Sequence, residues 1–157
     1  MILGGSDPKL YIGNLKYVNI IAKDVLMVGV DSFAVDGVEI SGTDKYDAVV
    51  DTGSTAIYVP RPLYYQLPKQ LTANGQRQQL PCDQLHGLPN LNFRLGGHDF
   101  SLERDFYVSR DESGFCQILV FPTTDDEDPF VLGAVFLRKY YSEFNMNDMT
   151  IGLAPAV

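Results

Sequence analysis

Ala48-Val49-Val50-Asp51-Thr52-Gly53-Ser54 runs an apolar, β-branched stretch into a carboxylate set in a glycine turn. A buried strand that ends this way holds its carboxylate at the tip, beside the backbone N–H groups of the turn, as a catalytic aspartate must be held. Asp, Gly and Ser are also common turn residues, so the four residues read as well as an ordinary strand-to-turn transition.

Around this stretch the chain is rich in short alternating or β-branched runs separated by Gly, Pro, Asn and Asp, the pattern of an antiparallel β domain. Asp36-Gly37, between Phe33-Ala34-Val35 and Val38-Glu39-Ile40, predicts a two-residue hairpin, because both turn positions tolerate positive φ. A second hairpin is expected around Gly96-Gly97-His98 and a third around Asn145 to Asp148. Two short helices are expected, one opened by Pro62 and stopped by Pro68, the other following Gly133. Met1-Ile2-Leu3 reads as a strand, and the start of the chain as a cut inside a longer protein.

The chain has 157 residues, enough for one domain that buries about 70% of its unfolded surface, so a core needs no metal or cofactor. Its net charge of -8 disfavours nucleic acid and anionic membranes as partners, since both need a basic face. No apolar run approaches the length of a membrane span. His86 and His98 have no Cys, Asp or Glu at metal-ligand spacing and read as surface histidines. Asp125-Asp126-Glu127-Asp128, between Pro122 and Pro129, reads as a solvated loop. By count alone Cys82 and Cys116 are either one disulfide or two buried thiols.

A second segment, Phe130-Val131-Leu132-Gly133-Ala134-Val135-Phe136-Leu137-Arg138-Lys139-Tyr140-Tyr141, is followed by Ile151-Gly152-Leu153-Ala154-Pro155-Ala156-Val157. With Asp51-Thr52-Gly53-Ser54 and the spacing of Cys82 and Cys116, it resembles the C-terminal lobe of a pepsin-like aspartic protease. That eukaryotic family includes pepsin, cathepsin D, renin and the plasmepsins. The likeness runs from Gly4-Gly5-Ser6-Asp7 to the last residue. It implies a mostly β fold, a single lobe (residues 1–157) of the bilobal β-barrel architecture, with the N-terminal lobe absent.

The resemblance also implies roles. Asp51 would be one half of a catalytic aspartate pair, Thr52 would reach the opposite lobe, and the Ser54 hydroxyl would bind the outer oxygen of Asp51. Val131, Leu132 and Gly133 would thread beneath the active-site loop as support. Gly53, Ser54, Thr55, Ile57 and Val49 would line substrate subsites, with core packing the alternative for Val49 and Ile57. The proline-bearing loop at Asp125 to Asp128 would stand at the edge of the cleft. Cys82 and Cys116 would be bridged, placing the protein in the secretory pathway, outside the cell or in a lysosome- or vacuole-like compartment. Partners would be the N-terminal lobe, a peptide or protein substrate and, for the full enzyme, pepstatin-type inhibitors, with no cofactor. Alone, the lobe would be folded but inactive, and Asp51, lacking a mate to repel it, would titrate more like an ordinary carboxyl. Two other readings are a non-catalytic binding protein on this fold and a self-associating lobe. The sequence departs from the family where Ser54-Thr55 replaces the more frequent Thr-Ser, and where Ala134 replaces the Asp that follows Leu-Gly in many members.

Overall fold

The computed structural model describes residues 1–22, 24–72 and 79–157. The strands in chain order are β1 (Lys16–Ala22), β2 (Met27–Gly29), β3 (Ser32–Val35), β4 (Val38–Glu39), β5 (Asp47–Val50), β6 (Ile57–Val59), β7 (Leu80–Pro81) and β8 (Leu91–Leu95). They continue as β9 (His98–Leu102), β10 (Val108–Arg110), β11 (Phe115–Ile118), β12 (Val120–Pro122), β13 (Phe130–Leu132), β14 (Tyr140–Asn145) and β15 (Thr150–Pro155). Four short helices interrupt them: α1 (Arg61–Tyr64), α2 (Lys69–Thr72), α3 (Arg104–Tyr107) and α4 (Ala134–Lys139). The strands form an eight-stranded sheet in the order β12-β6-β13-β5-β2-β1-β15-β14, a four-stranded sheet β4-β3-β8-β9 and a three-stranded sheet β10-β11-β7.

The three expected hairpins form. Asp36 and Gly37 take φ of 48° and 79°, the left-handed pair that a two-residue turn with matching strand twist requires. The Asp36 carboxylate also accepts from the Asn90 N–H, tying that turn to the start of β8. At the third hairpin the Asn145 side chain accepts from the N–H groups of Asn147 and Asp148, which closes the turn between β14 and β15.

The feature that positions the site is a crossing of strands in the large sheet. β13 lies between β5 and β6, parallel to the first and antiparallel to the second, so the segment joining β5 to β6 must arch over its end. There Gly133 leaves no room for a side chain: an added Cβ would stand 2.5 Å from both the Ser54 and the Ala56 carbonyl oxygens. Its φ is an ordinary -87°, so space rather than conformational freedom demands glycine.

Aromatic packing holds β13 and α4 in place. Phe93 on β8 stacks on Phe33 of β3 with centroids 4.8 Å apart, and meets Phe130 of β13 and Phe136 of α4 edge-on at 5.9 and 6.1 Å. These four rings are fully buried, so the four-stranded sheet is bonded through apolar contact to the strand beneath the site. At the far end of α4, Lys139 donates to the Ser101 carbonyl and to Glu103, and Tyr140 donates to the same Ser101 carbonyl at 2.6 Å.

Two expectations are corrected. Met1-Ile2-Leu3 is exposed, enters a bend at Leu3 and joins no sheet, because no strand of the described residues supplies it a ladder partner. The α-helices number four among the described residues rather than two: the first ends at Tyr64, before Pro68 is reached, Pro68 instead precedes α2, since proline suits a helix start, and the single turn of α3 is anchored by the Tyr107 hydroxyl on the Pro89 carbonyl. The disulfide is formed, joining Cys82 to Cys116 with Cα atoms 4.9 Å apart.

Gly133→Ala is expected to cost about 3 kcal/mol or more, lowering the melting temperature by roughly 6–12 °C. Gly152→Ala is the control, because the atoms nearest its added Cβ belong to the half-exposed ring of Tyr17, at 2.9 Å, which can turn aside at a cost of about 1 kcal/mol. Equal losses in thermal unfolding of the two variants would refute the crowding argument.

Candidate active site

The loop between β5 and β6 is built by backbone hydrogen bonds to β13 and the start of α4. Asp51 N–H donates to the Leu132 carbonyl at 3.1 Å and Gly133 N–H to Ala56 at 3.2 Å. Ala134 N–H donates to Ser54 at 2.7 Å and Val135 N–H to Thr55 at 3.0 Å. These four bonds occupy the inner face of the loop and leave Thr52 and Thr55 exposed, with Asp51 and Ser54 half-buried and Ala56 turned into the core. Val50, the last residue before the loop, is tied on its other side by its N–H to the Leu26 carbonyl.

The Asp51 carboxylate is half-buried and gripped at both oxygens. Gly53 N–H donates to Oδ1 at 2.8 Å and the Ser54 hydroxyl to Oδ2 at 2.6 Å. Both donors prefer the anion, so they hold the Asp51 carboxyl below its ordinary value, the Ser54 hydroxyl most strongly and Gly53 next, while partial desolvation opposes them. This corrects the expectation of ordinary titration: a missing mate removes repulsion, but the loop's own donors remain.

Of the residues expected to line subsites, Gly53, Ser54 and Thr55 share a groove of about 330 Å³ with Tyr58, Gln117 and Phe121. Val49 is half-buried on β5, opposite Val131 and Met27. Ile57 is wholly buried in the core, where the packing alternative describes it. Thr52 is exposed and borders a hollow of about 520 Å³ with Met1, Leu3, Leu10 and Tyr141. Val131, Leu132 and Gly133 lie directly beneath the loop. Tyr58 and Phe121, whose rings sit 5.9 Å apart at the groove, gave no sequence signal, since they meet only because β12 runs parallel to β6.

His86 is exposed and His98 half-buried on a hairpin. Among the described residues, no group of three His, Cys, Asp or Glu is placed to hold a metal ion, and no helix is long and apolar enough to cross a membrane. The Asp125 to Asp128 loop is exposed apart from a half-buried Asp128. Of its residues Asp128, with Thr123, Thr124 and Pro129, walls a second pocket of about 310 Å³ that also includes Ser54, Tyr58 and Val131.

Comparison with known sequences matches residues 1–156 to the family described as eukaryotic aspartyl protease. The chain is 29% identical to chymosin of Camelus dromedarius, covering 100% of this chain and 42% of that protein. It is 32% identical to cathepsin E of Aquarana catesbeiana, over 100% of this chain and 41% of the relative, and 32% identical to pepsin A-5 of Mus musculus, over 99% and 42%. The chain thus spans about two-fifths of the length of the curated relatives it matches.

Ser54→Ala is expected to raise the Asp51 pKa toward the ordinary 3.8 by removing the larger of the two donors. The sign follows from linkage: a depressed carboxyl contributes stability that is full above its unfolded-state value and is lost as pH falls through the folded one. The variant should therefore lose less stability on acidification than the parent chain. A carboxyl-carbon NMR titration reads this directly, and an Asp51 curve unmoved by the substitution would contradict it.

Proposed function

This chain belongs to the eukaryotic aspartyl protease family, and from that premise we propose that it is the C-terminal lobe of a two-lobed aspartic endopeptidase whose catalytic aspartate here is Asp51. The observation that carries the reading is the carboxylate of Asp51, held at both oxygens at a strand tip by Gly53 and Ser54, two residues that themselves line the adjoining groove. One lobe of the pepsin-like fold supplies one such carboxylate, and the chain's two-fifths share of its relatives' length suits one lobe.

Peptide hydrolysis by a carboxyl pair needs one ionised member to take a proton from water and one protonated member to hydrogen-bond the substrate carbonyl oxygen. The water oxygen bonds to the carbonyl carbon, and the carbonyl oxygen takes the acid's proton. The C–N bond then breaks as the carboxyl that took the water's proton gives it to the leaving nitrogen, while a hydroxyl of the diol returns a proton to the other carboxylate. Aspartic proteases are the general example of two carboxyls sharing one proton, and such a pair titrates as a unit with two separated values. Asp51 would contribute one member of that unit from this chain, with Gly53 N–H and the Ser54 hydroxyl fixing its orientation. Gly53, whose added Cβ would lie 3.2 Å from Asp51 Oδ1, keeps the approach to the carboxylate open for a substrate backbone. Thr52, exposed at the hollow beside Met1 and Leu3, would meet the N-terminal lobe, covering apolar area that a chain alone leaves in water. Thr55, with Gly53 and Ser54, would contact the substrate, and pepstatin-type inhibitors would occupy the same cleft in the full enzyme.

The Cys82–Cys116 bridge supports an oxidising compartment, hence the secretory pathway, with export or delivery to a lysosome- or vacuole-like organelle.

In the full-length protein, Asp51→Asn is expected to lower kcat by about 10²- to 10⁴-fold, with a smaller change in KM. The lobe alone is expected to cleave nothing. Pepstatin-sensitive cleavage by residues 1–157 alone, or a full-length Asp51→Asn protein that keeps its activity, would overturn the assignment.

A further inference from the structure

The acidic loop between Thr123 and Asp128 is the most elaborately tethered surface segment near the candidate site. Arg61, the first residue of α1, donates through Nε to Asp126 Oδ1 at 2.7 Å, and its backbone N–H donates to Thr123 Oγ1 at 3.0 Å. The Thr123 hydroxyl in turn donates a hydrogen bond to the Asp125 carbonyl at 2.9 Å. On the other side the Tyr46 hydroxyl donates to the Asp126 carbonyl at 2.8 Å, from a ring that meets Phe130 of β13 edge-on. Within the loop, Asp125 N–H donates to the Asp128 carboxylate. None of these contacts builds the core. Arg61 and Asp126 keep 42% and 61% of their side-chain exposure, so as a stabilising ion pair theirs is worth little.

The tethers do fix where the loop stands. It walls the pocket of about 310 Å³ whose other side is Ser54, Tyr58 and Val131, and the Ser54 hydroxyl is bonded to the Asp51 carboxylate. A wall one side chain away from the candidate catalytic group decides which substrate side chains fit there, provided it stays put.

We infer that Arg61, by its paired grip on Asp126 and Thr123, is a positioning residue that holds the loop at Thr123 to Asp128 as the wall of a substrate side-chain pocket beside Asp51. The inference rests on the protease reading and adds to it a residue outside the active-site loop. Its effect is on binding: a loosened wall weakens ground-state and transition-state contacts alike, which raises KM and leaves kcat unchanged. The pair's exposure bounds the effect at about two- to five-fold in KM.

The test uses the full-length protein with three variants, Arg61→Met, Asp126→Asn and the exchanged pair Arg61→Asp with Asp126→Arg. Peptide-cleavage kinetics and amide hydrogen exchange of residues 124–128 are read for each. Both single variants should raise KM about two- to five-fold in the same direction and speed exchange in the loop, and the exchanged pair should restore both. Shifts of KM in opposite directions would mean that the loop's charge acts rather than its position, and would overturn the inference. Unchanged loop exchange in Arg61→Met would overturn it without reference to activity. A wild-type full-length protein that cleaves no peptide would instead sink the protease reading, and this inference with it, whatever the exchange data show.

Discussion

The structure depends on one close backbone approach, where Gly133 passes under the carbonyls of Ser54 and Ala56 with no space for a Cβ. β5 and β6 flank β13, so their ends are two strand spacings, about 10 Å, apart, and six residues must bridge that distance over the end of the middle strand. A loop of that length alone would be poorly defined. Here Gly133, Ala134 and Val135 donate upward into it while Leu132 accepts from Asp51, so its path is set by backbone groups of a different segment. Because main chain does this work, the side chains of Thr52 and Thr55 are released from structural duty and left at the surface, and Asp51 is held by donors of its own loop.

That arrangement explains the electrostatics of Asp51. Its two donors, Gly53 N–H and the Ser54 hydroxyl, are neutral and lie within three residues of it, so the preference for the anion travels with the loop. Neutral donors stabilise the charge without adding an opposite one, which leaves the carboxylate available to a second titrating group. A carboxyl brought against such an anion would keep its own proton to higher pH, since two like charges at close range are expensive, and the two macroscopic values of the pair would spread apart.

How far the sequence spoke depended on the range of the interactions involved. Hairpins such as Asp36-Gly37 and the Asn145 turn were legible because φ preference and side-chain capping act over two to four residues. The strand tip at Asp51 was legible for the same reason, and the threading of Val131-Leu132-Gly133 came only through family resemblance. α2 and α3 were not legible: four residues hold one helical turn, too little for any apolar periodicity. Met1-Ile2-Leu3 misled because apolar strand propensity is a statement about fitting a pleated neighbour, and among the described residues none is offered. Ile57 alternates inward with Val59 on β6, a burial fixed by the parallel partner β12, some sixty residues on in sequence.

The same division of range separates the middle of the site from its rim. At the centre, main-chain bonds and a steric prohibition leave one geometry, and the aromatic contacts from Phe93 to Phe130 and Phe136 transmit the rigidity of a second sheet to it. At the rim, the loop at Asp125 to Asp128 is set by a half-exposed arginine and one phenol, contacts that solvent and salt weaken. Reacting groups tolerate little displacement, whereas displacement of a pocket wall costs binding rather than the chemical step. A steeply graded stiffness, from the Gly133 crossing outward to the Arg61 tether, is therefore what this chain's contacts produce, and it makes the loop the part of the site most open to sequence change without loss of the fold.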